Sequence, residues 1–438
     1  MTEHAEPDFD VAVVGAGIAG SIAATLLARD GHSVVLLERG EAPGSKNLSG
    51  GVLYGRVLDP VFPGWASRAP VERVITRNVI TLLTESGAVS IDADDPTLAT
   101  PVSAVTVLRA AFDSWLAEQA ESAGAVLMTG ARVDRLLTET CPNGSARVVG
   151  VRVGEDDLRT RVVVAADGVN SFLAQTAGVR KTPATHQRAV GVKAVVRLDP
   201  RVIEDRFGVP EGLGAAHSYV GACTQGVGGG GFLYTNKKSL SVGLVLRLDD
   251  LVARGKDAVT LFEEFLGHPV VARLLKGGEI VEYGSHLVNE GGQSMLGKVH
   301  GDGLVVVGDA AGLTLNTGLT VRGMDLAAGS AIAAATAVHQ ALSRGDVSAE
   351  GLTPYRDLLD RSFVGRDTRL YSRAPDFLER SRLYSDYGPL IHDVLHRMFD
   401  VNATPRKHLL KSSLQALKAS PLRVRDVISD GVALVRAL

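Results

Sequence analysis

The sequence has few cysteines, no long apolar run and no excess of charge. Cys141 and Cys223 are its only cysteines, too few for a disulfide framework or for an iron–sulfur cluster held by four thiolates. The longest uncharged stretch, 326–343, is nearly half alanine. A membrane span needs about 20 strongly apolar residues. We therefore expect reduced thiols and a packed helix rather than a disulfide scaffold or a membrane anchor.

Other absences narrow the function further. The formal net charge is −3 and the isoelectric point about 6.4, so nucleic acid is not expected as a partner. The eleven histidines show no paired metal-binding spacing, and no nucleophile elbow is present, so we predict no metal site. Residues 1–8 are polar and acidic, which is unlike a secretory signal. We expect a cytoplasmic protein, at most peripheral to a membrane, whose chemistry falls to a cofactor.

The N-terminal segment has the pattern of a dinucleotide-binding unit. A buried-strand pattern, Phe9–Val14, runs into a glycine turn and a helix, and a second apolar strand then closes on Glu38. Gly15 permits the tight turn, Gly17 lets the backbone approach a pyrophosphate, and Gly20 lets the helix pack on the strand. The helix N-terminus offers N–H groups to the phosphates. Glu38 lies 18 residues beyond Gly20, where a carboxylate accepts hydrogen bonds from a ribose.

The rest of the chain alternates between nucleotide-binding patterns and patterns of antiparallel strands. Residues 71–91 read as antiparallel strands with a turn at Gly87, and a helix opens at Arg109. Long alternating runs between 184 and 288 indicate a larger antiparallel sheet. Residues 303–309 again have the pattern of a nucleotide-binding unit, an apolar strand followed by glycine. The predicted domains are a dinucleotide-binding domain (1–75, 105–185 and 295–345), a β-rich substrate domain (76–104 and 186–294), and a helical C-terminal region (346–438).

Three further patterns identify the dinucleotide as FAD. Asp167-Gly168 follows a buried strand, although alone it reads equally as a turn with a helix cap. Arg109 stands one helical turn before Asp113, a spacing that also suits a plain ion pair. Gly308-Asp309 follows a third strand; its carboxylate can accept hydrogen bonds from ribityl hydroxyls, and a helix near Gly323 can point its N-terminus at the flavin. Together these resemble the glutathione-reductase-type FAD fold, an α/β architecture with a discontinuous Rossmann domain, an inserted antiparallel β domain and a helical C-terminal region.

A narrower resemblance rests on four segments, 38–40, 44–51, 232–237 and 315–325. They look like the FixC-type flavoproteins, which belong with the electron-transfer-flavoprotein:quinone oxidoreductases and lie near the geranylgeranyl reductases. The resemblance implies an FAD-dependent oxidoreductase that takes electrons from an electron-transfer flavoprotein and passes them to a quinone or a ferredoxin-like protein.

The sequence departs from part of that family. The mitochondrial-type relatives carry a cysteine-rich cluster domain at the C-terminus, and this chain does not. In FixC-type systems a separate ferredoxin-like protein takes that role. The same absence also fits a stand-alone FAD-dependent dehydrogenase, reductase or monooxygenase that acts on a small molecule in specialised metabolism.

The motifs and the resemblance together give a set of predicted cofactor-binding residues. They are Gly15, Ala16, Gly17, Ile18, Ala19, Gly20, Glu38, Arg39, Lys46, Ser49, Gly50, Gly51, Arg109, Val133, Asp167, Gly168, Gly308, Asp309, Gly323 and Met324. Lys46 and Arg322 read either as cations near the flavin or as ordinary solvated side chains. The glycine run 226–231 is either a turn or, as the resemblance implies, part of the quinone side.

The C-terminal segment 401–425 is basic. It holds six Lys or Arg and no Asp or Glu, and Leu409, Leu410, Leu414 and Leu417 give it an apolar stripe. Such a helix can lie on an anionic membrane surface or against an acidic partner. It can equally pack through its leucines on the protein's own body.

Overall fold

The structure is a computed structural model that describes residues 6–47, 50–141, 144, 146–403, 405 and 407–438. Its strands, in chain order, are β1 (Phe9–Val14), β2 (Val34–Leu37), β3 (Gly50–Tyr54), β4 (Val71–Leu83), β5 (Ala88–Asp94), β6 (Ala104–Leu108), β7 (Val126–Met128), β8 (Val133–Thr140), β9 (Ala146–Val153), β10 (Asp156–Ala165), β11 (Arg188–Arg197), β12 (Leu213–Gly221), β13 (Gly229–Thr235), β14 (Ser239–Arg247), β15 (Glu279–Asn289), β16 (His300–Gly301), β17 (Leu304–Val306), β18 (Leu315–Asn316) and β19 (Val321–Arg322).

The α-helices lie mostly outside the strand-rich middle of the chain. They are α1 (Ile18–Arg29), α2 (Trp65–Arg68), α3 (Arg109–Ser122), α4 (Phe172–Thr176), α5 (Pro200–Phe207), α6 (Leu248–Ala253), α7 (Ala258–Gly267), α8 (Pro269–Leu275), α9 (Met324–Arg344), α10 (Pro354–Arg361), α11 (Phe363–Leu370), α12 (Ala374–Leu378), α13 (Arg382–Ser385), α14 (Tyr387–Phe399), α15 (Leu409–Ala419) and α16 (Val424–Ala437). Short 3-10 turns at Gly168–Asn170 and Gly308–Ala311 follow β10 and β17.

The first sheet has a parallel core built from distant parts of the chain. Strand β1 lies between β10 and β2, while β17 pairs with β10 and β7 with β2, all in parallel. The four valine and alanine residues at the end of β1, and all of β2, are buried. Parallel strands buried on both faces are expected to read as continuous apolar runs, as these do. Helices α1 and α9 pack against each other beside this sheet.

The second sheet holds nine strands in the order β15-β11-β14-β13-β12-β4-β6-β3, with β5 paired to β4. Its pairs are antiparallel except for β12, which runs parallel to β4. Helices α5 and α7 contribute Phe207, Phe262 and Phe265 to its own apolar core. This is the larger antiparallel sheet predicted for 184–288, with one parallel pair that the sequence did not suggest.

The predicted fold class is confirmed, including the helical region after residue 350. The hairpin of β4 and β5 turns at Gly87, and 326–343 lies inside α9. The boundary drawn at residue 75 falls within β4, and β3 and β6 pair into the second sheet although the prediction assigned them to the FAD-binding domain. The domain limits therefore stay a prediction. Among the described residues, none of the helices combines the length and apolar character required to span a bilayer.

Candidate functional site

A cavity of about 1050 Å³ lies among residues of both sheets and the C-terminal helices. Most of the predicted cofactor-binding residues line it: Gly15, Gly17, Ile18, Ala19, Glu38, Arg39, Lys46, Gly50, Gly51, Arg109, Val133, Asp167, Gly168, Asp309, Gly323 and Met324. Segments that are far apart in the sequence therefore meet around one elongated space.

Three of the predicted residues lie behind the cavity wall. The backbone N–H of Ala16 donates to Glu38 Oε2 at 3.0 Å, and that of Gly308 donates to Ser330 Oγ at 2.9 Å. A Cβ at Gly20 would come within 1.8 Å of the Gly15 carbonyl oxygen, so a glycine is needed for α1 to pack on the turn. These positions shape the wall without facing the cavity. Ser49 lies outside the described residues.

The turn before α1 requires glycine and presents a helix end to the cavity. Gly15 has a φ of +104°, and a Cβ there would lie 2.4 Å from the Ala166 carbonyl oxygen. Gly17 is the N-cap of α1, and the first-turn residues Ile18 and Ala19 line the cavity. The first N–H groups of a helix lack partners within the helix and carry partial positive charge. This end of the cavity can therefore bind a diphosphate.

Glu38 is held rigidly at the end of β2. Its Oε2 accepts the Ala16 N–H at 3.0 Å and its Oε1 accepts the Gly40 N–H at 2.7 Å. An ionised carboxylate has about four acceptor sites, so two remain for ligand hydroxyl groups. The side chain lines the cavity beside Val133, as a carboxylate that binds a ribose would.

Arg109 makes the ion pair that its spacing permits, and it also lines the cavity. Its Nε and Nη2 donate to the two Asp113 carboxylate oxygens at 2.8 and 2.7 Å, and Asn47 donates to Asp113 at 3.0 Å. A Cβ at Gly17 would lie 3.6 Å from Arg109 Nη2. The pair thus fixes a cation close to the backbone that would receive the diphosphate. The ion pair is therefore observed, and the ligand-binding role of Arg109 stays a prediction.

Two carboxylates stand farther along the cavity. Burial raises the pKa of Asp167 and of Asp309, and for Asp309 the positive charges of Arg109, His286 and Arg180 oppose that effect. Asp167 Oδ2 accepts the Leu173 N–H at 3.1 Å, whereas its buried Oδ1 has no hydrogen-bond partner among the described residues. A buried acceptor of this kind needs a donor to offset its desolvation.

The cavity therefore fits FAD along its length. A helix N-terminus suits the diphosphate, Glu38 suits the adenosine ribose, and Asp309 suits ribityl hydroxyls. Helix α9 begins after its N-cap Gly323, which also lines the cavity. Arg322, weighed as a flavin-side cation, donates to Asp325 and Asp367 at 2.7 and 2.6 Å, so two carboxylates already share its charge.

The second sheet and the residue after its strand β15 add cavity-lining residues that were not among the predicted cofactor-binding residues. Lys193, Phe232, Tyr234, His286 and Glu290 line the cavity. Lys193 Nζ lies 5.9 Å from the centre of the Phe232 ring, which stacks on Tyr234 with ring centres 4.8 Å apart. Burial lowers the pKa of Lys193 to about 8, and the charge of Arg109 acts in the same direction. One signal was available, since Lys193 interrupts the apolar alternation of β11. Gly228 to Gly231, from the glycine run, line the cavity too.

Comparison with known proteins agrees with this geometry. Residues 8–225 match the family model described as an FAD binding domain, and residues 374–438 match the C-terminal domain of the ETF-QO/FixC family. The chain is 43% identical over 432 residues to a probable electron transfer flavoprotein-quinone oxidoreductase, YdiS, from Escherichia coli, which covers 98% of this chain and 99% of the relative. It is 43% identical to protein FixC of Salmonella typhi over 435 residues, 99% of this chain and 100% of the relative.

The chain belongs to the ETF-QO/FixC family. As a member of that family it is an FAD-dependent oxidoreductase, and the predicted cofactor and enzyme class are confirmed. Solved structures with the same fold include a geranylgeranyl bacteriochlorophyll reductase-like protein from Thermoplasma acidophilum, with a TM-score of 0.67 and 20% identity over 97% of this chain and 99% of that one. The myxobacterial FAD-dependent halogenase CndH has a TM-score of 0.64 and 19% identity, over 95% and 98%. At these identities the likeness to solved structures concerns the fold alone.

Proposed function

We propose that this ETF-QO/FixC family member takes electrons from an electron-transfer flavoprotein and passes them, through FAD held in the central cavity, to a quinone. FAD supplies reversible acceptance of electrons at its ring system. The protein's part is to bind and orient it: α1 faces the diphosphate, Glu38 the adenosine ribose and Asp309 the ribityl chain. Arg109 contributes a fixed positive charge beside the diphosphate.

The observation that carries the proposal is a group of apolar side chains in the cavity wall. They are Phe377, Leu378, Leu383, Leu434 and Leu438, and all five lie in the segment that matches the family's C-terminal domain. The same space that accommodates FAD therefore continues into a region that suits an apolar acceptor such as a quinone. An acceptor in that space would lie in the same cavity as the flavin.

An anaerobic reoxidation experiment tests the proposal. The holoenzyme is photoreduced and mixed with coenzyme Q1, with air-saturated buffer or with NADP⁺, and flavin absorbance is followed by stopped flow. We expect coenzyme Q1 to reoxidise the flavin at least ten times faster than oxygen does. Fast consumption of oxygen coupled to hydroxylation of an added small molecule would contradict electron transfer and favour the stand-alone enzyme.

We further propose that an iron–sulfur cluster, if the electron path uses one, belongs to a separate ferredoxin-like partner. The chain has two cysteines, Cys141 and Cys223, and Cys223 is buried. Co-purification from the native host, followed by electron paramagnetic resonance, tests this. A cluster signal that stays with the isolated chain would contradict it.

A peripheral membrane contact through 401–425 is the remaining part of the proposal. Helix α15 leaves Leu409, Leu410 and Leu414 at least 46% exposed beside Lys411 and Lys418. Sedimentation with vesicles of anionic lipid tests it, with neutral vesicles as the control. Replacing the three leucines with serine should release the protein into the supernatant, and unchanged sedimentation would refute the contact.

A further inference from the structure

Glu290 occupies a junction between the central cavity and the protein surface. It follows β15, and its Oε2 accepts a hydrogen bond from Asn316 Nδ2 at 3.3 Å. Glu290 and Arg247 line the central cavity and also a second, smaller cavity of about 70 Å³. Leu378 is the third residue common to both.

The smaller cavity leads towards solvent. Its wall includes the exposed residues His186, Asp376 and Glu379. Arg247 Nη1 lies 4.0 Å from Glu379 Oε1, so charged groups continue from Glu290 outwards. A carboxyl group that borders both the central cavity and the smaller cavity can donate a proton on one side and take up a new one from solvent on the other.

The proposed reaction needs protons that its electrons do not bring. Reduction of a quinone to a quinol takes two electrons and two protons, and an O–H bond forms on each carbonyl oxygen. Electrons that pass from one flavoprotein to another travel without protons. The donor is oxidised and the quinone is reduced, while both protons must come to the acceptor in the cavity from solvent.

We propose that Glu290 is a proton-relay residue that carries solvent protons from the small cavity to the acceptor in the central cavity. In each relay step the Glu290 O–H bond breaks as an acceptor O–H bond forms, and a solvent proton then restores the carboxyl group. The inference rests on the proposed function, because it assumes an acceptor that takes up protons.

The surroundings of Glu290 favour a carboxyl group that holds a proton. Burial raises its pKa, while the hydrogen bond from Asn316 and the positive charge of Arg247 act in the opposite direction. The facing Tyr384 already donates its hydroxyl hydrogen to the Leu378 carbonyl at 2.6 Å. The other titratable groups on the path are His186, Asp376 and Glu379.

Glu290→Gln tests the relay because it keeps the shape of the side chain and removes the exchangeable acid. The photoreduced holoenzyme is mixed either with coenzyme Q1 or with ferricenium, which takes one electron and no proton. We expect the variant to reoxidise about 100-fold more slowly with coenzyme Q1, the scale of general acid catalysis. Its rate with ferricenium should stay within about twofold of the wild type. The wild-type quinone rate should fall as pH rises through the pKa of Glu290, and the variant should lose that dependence.

Two further variants and one spectroscopic measurement separate the outcomes. Glu290→Asp keeps a carboxyl group and should recover part of the quinone rate. Glu279→Gln is the matched control, because Glu279 begins β15, the strand that Glu290 follows, and pairs with Arg197 at the surface. Infrared difference spectra of wild type and Glu290→Gln, with bound FAD and no acceptor, should differ by the stretch of one protonated carboxyl.

These measurements distinguish failure of the proton relay from failure of the proposed electron transfer to a quinone. If the wild type with full flavin does not reduce coenzyme Q1, the proposed function fails and the relay fails with it. If the wild type reduces coenzyme Q1 and Glu290→Gln keeps its rate and pH dependence, the relay alone is refuted. An equal loss of rate with coenzyme Q1 and with ferricenium would also refute it, because a general structural defect would then be the cause.

Discussion

Replacing Glu38 with alanine should raise the Kd for FAD, because the variant loses hydrogen bonds to the adenosine ribose. Hydrogen bonds to a charged group contribute about 1.5–3 kcal/mol each. Losing a single ribose bond would cost about 1.5–3 kcal/mol, which is roughly a 10- to 150-fold rise in Kd. The change also leaves the N–H groups of Ala16 and Gly40 without their carboxylate acceptor. The apoprotein should therefore lose stability as well.

Asp10→Ala is a matched control for Glu38→Ala. Asp10 also accepts two hydrogen bonds from Ser33, from its backbone N–H at 3.0 Å and from its Oγ at 2.9 Å, and one from Arg161 Nη1 at 3.3 Å, but it does not line the cavity. Fluorescence titration of both apoproteins with FAD gives the two Kd values, and thermal unfolding gives the accompanying stability changes. We expect the Asp10 variant to bind FAD like the wild type. A Glu38→Ala variant with a Kd within threefold of the wild type would refute the ribose contact.

Three further changes test the turn, the cavity and the C-terminal helices. Gly15→Ala should lower the free energy of unfolding by about 2 kcal/mol or more, since the new methyl group meets the Ala166 carbonyl at a positive φ; unchanged denaturant midpoints would contradict this. Apoprotein Lys193→Met should be more stable than wild type at neutral pH. The difference in unfolding free energy between the variant and the wild type should narrow as pH rises above about 8, because Lys193 loses its proton there in the folded state but keeps it up to about pH 10.4 in the unfolded state. Urea titrations at several pH values measure this difference. Asp430→Asn removes the charged partner of Arg382 and should cost about 3 kcal/mol near neutral pH, with faster proteolysis of α16. The pKa of Asp430 is lowered to about 2, so that stabilisation should fade as pH drops below about 4, and an equally resistant α16 in the variant would refute the contact.

The positions of the cavity-lining segments that are built from short motifs could be predicted from local sequence. The turn at Gly15, the carboxylate at Glu38 and the start of α9 each depend on neighbours within a few residues, so spacing and residue type specify them. The fold class followed from the same patterns, because buried parallel strands and alternating antiparallel strands differ in periodicity.

Contacts between distant segments could not be predicted in this way. The parallel pairing of β12 with β4 joins a strand that precedes β7–β10 in the chain to one that follows them, and periodicity carries no information about partners. Glu290 stands in a polar, glycine-rich stretch that reads as an ordinary loop. Only the approach of Asn316 and Arg247 places it at the junction of two cavities.

The scattered origin of the parallel sheet has a consequence for how this protein is made. On the ribosome β1 emerges early, yet its neighbour β10 follows much later, and β17 and α9 appear only after the whole second sheet has been synthesised. The nascent chain must keep the apolar first strand and the alanine-rich side of α1 from aggregating throughout that interval. Asp309 and the start of α9, which line the cavity, are made late, so we expect the flavin nucleotide to complete the folding of a nearly finished polypeptide rather than nucleate it.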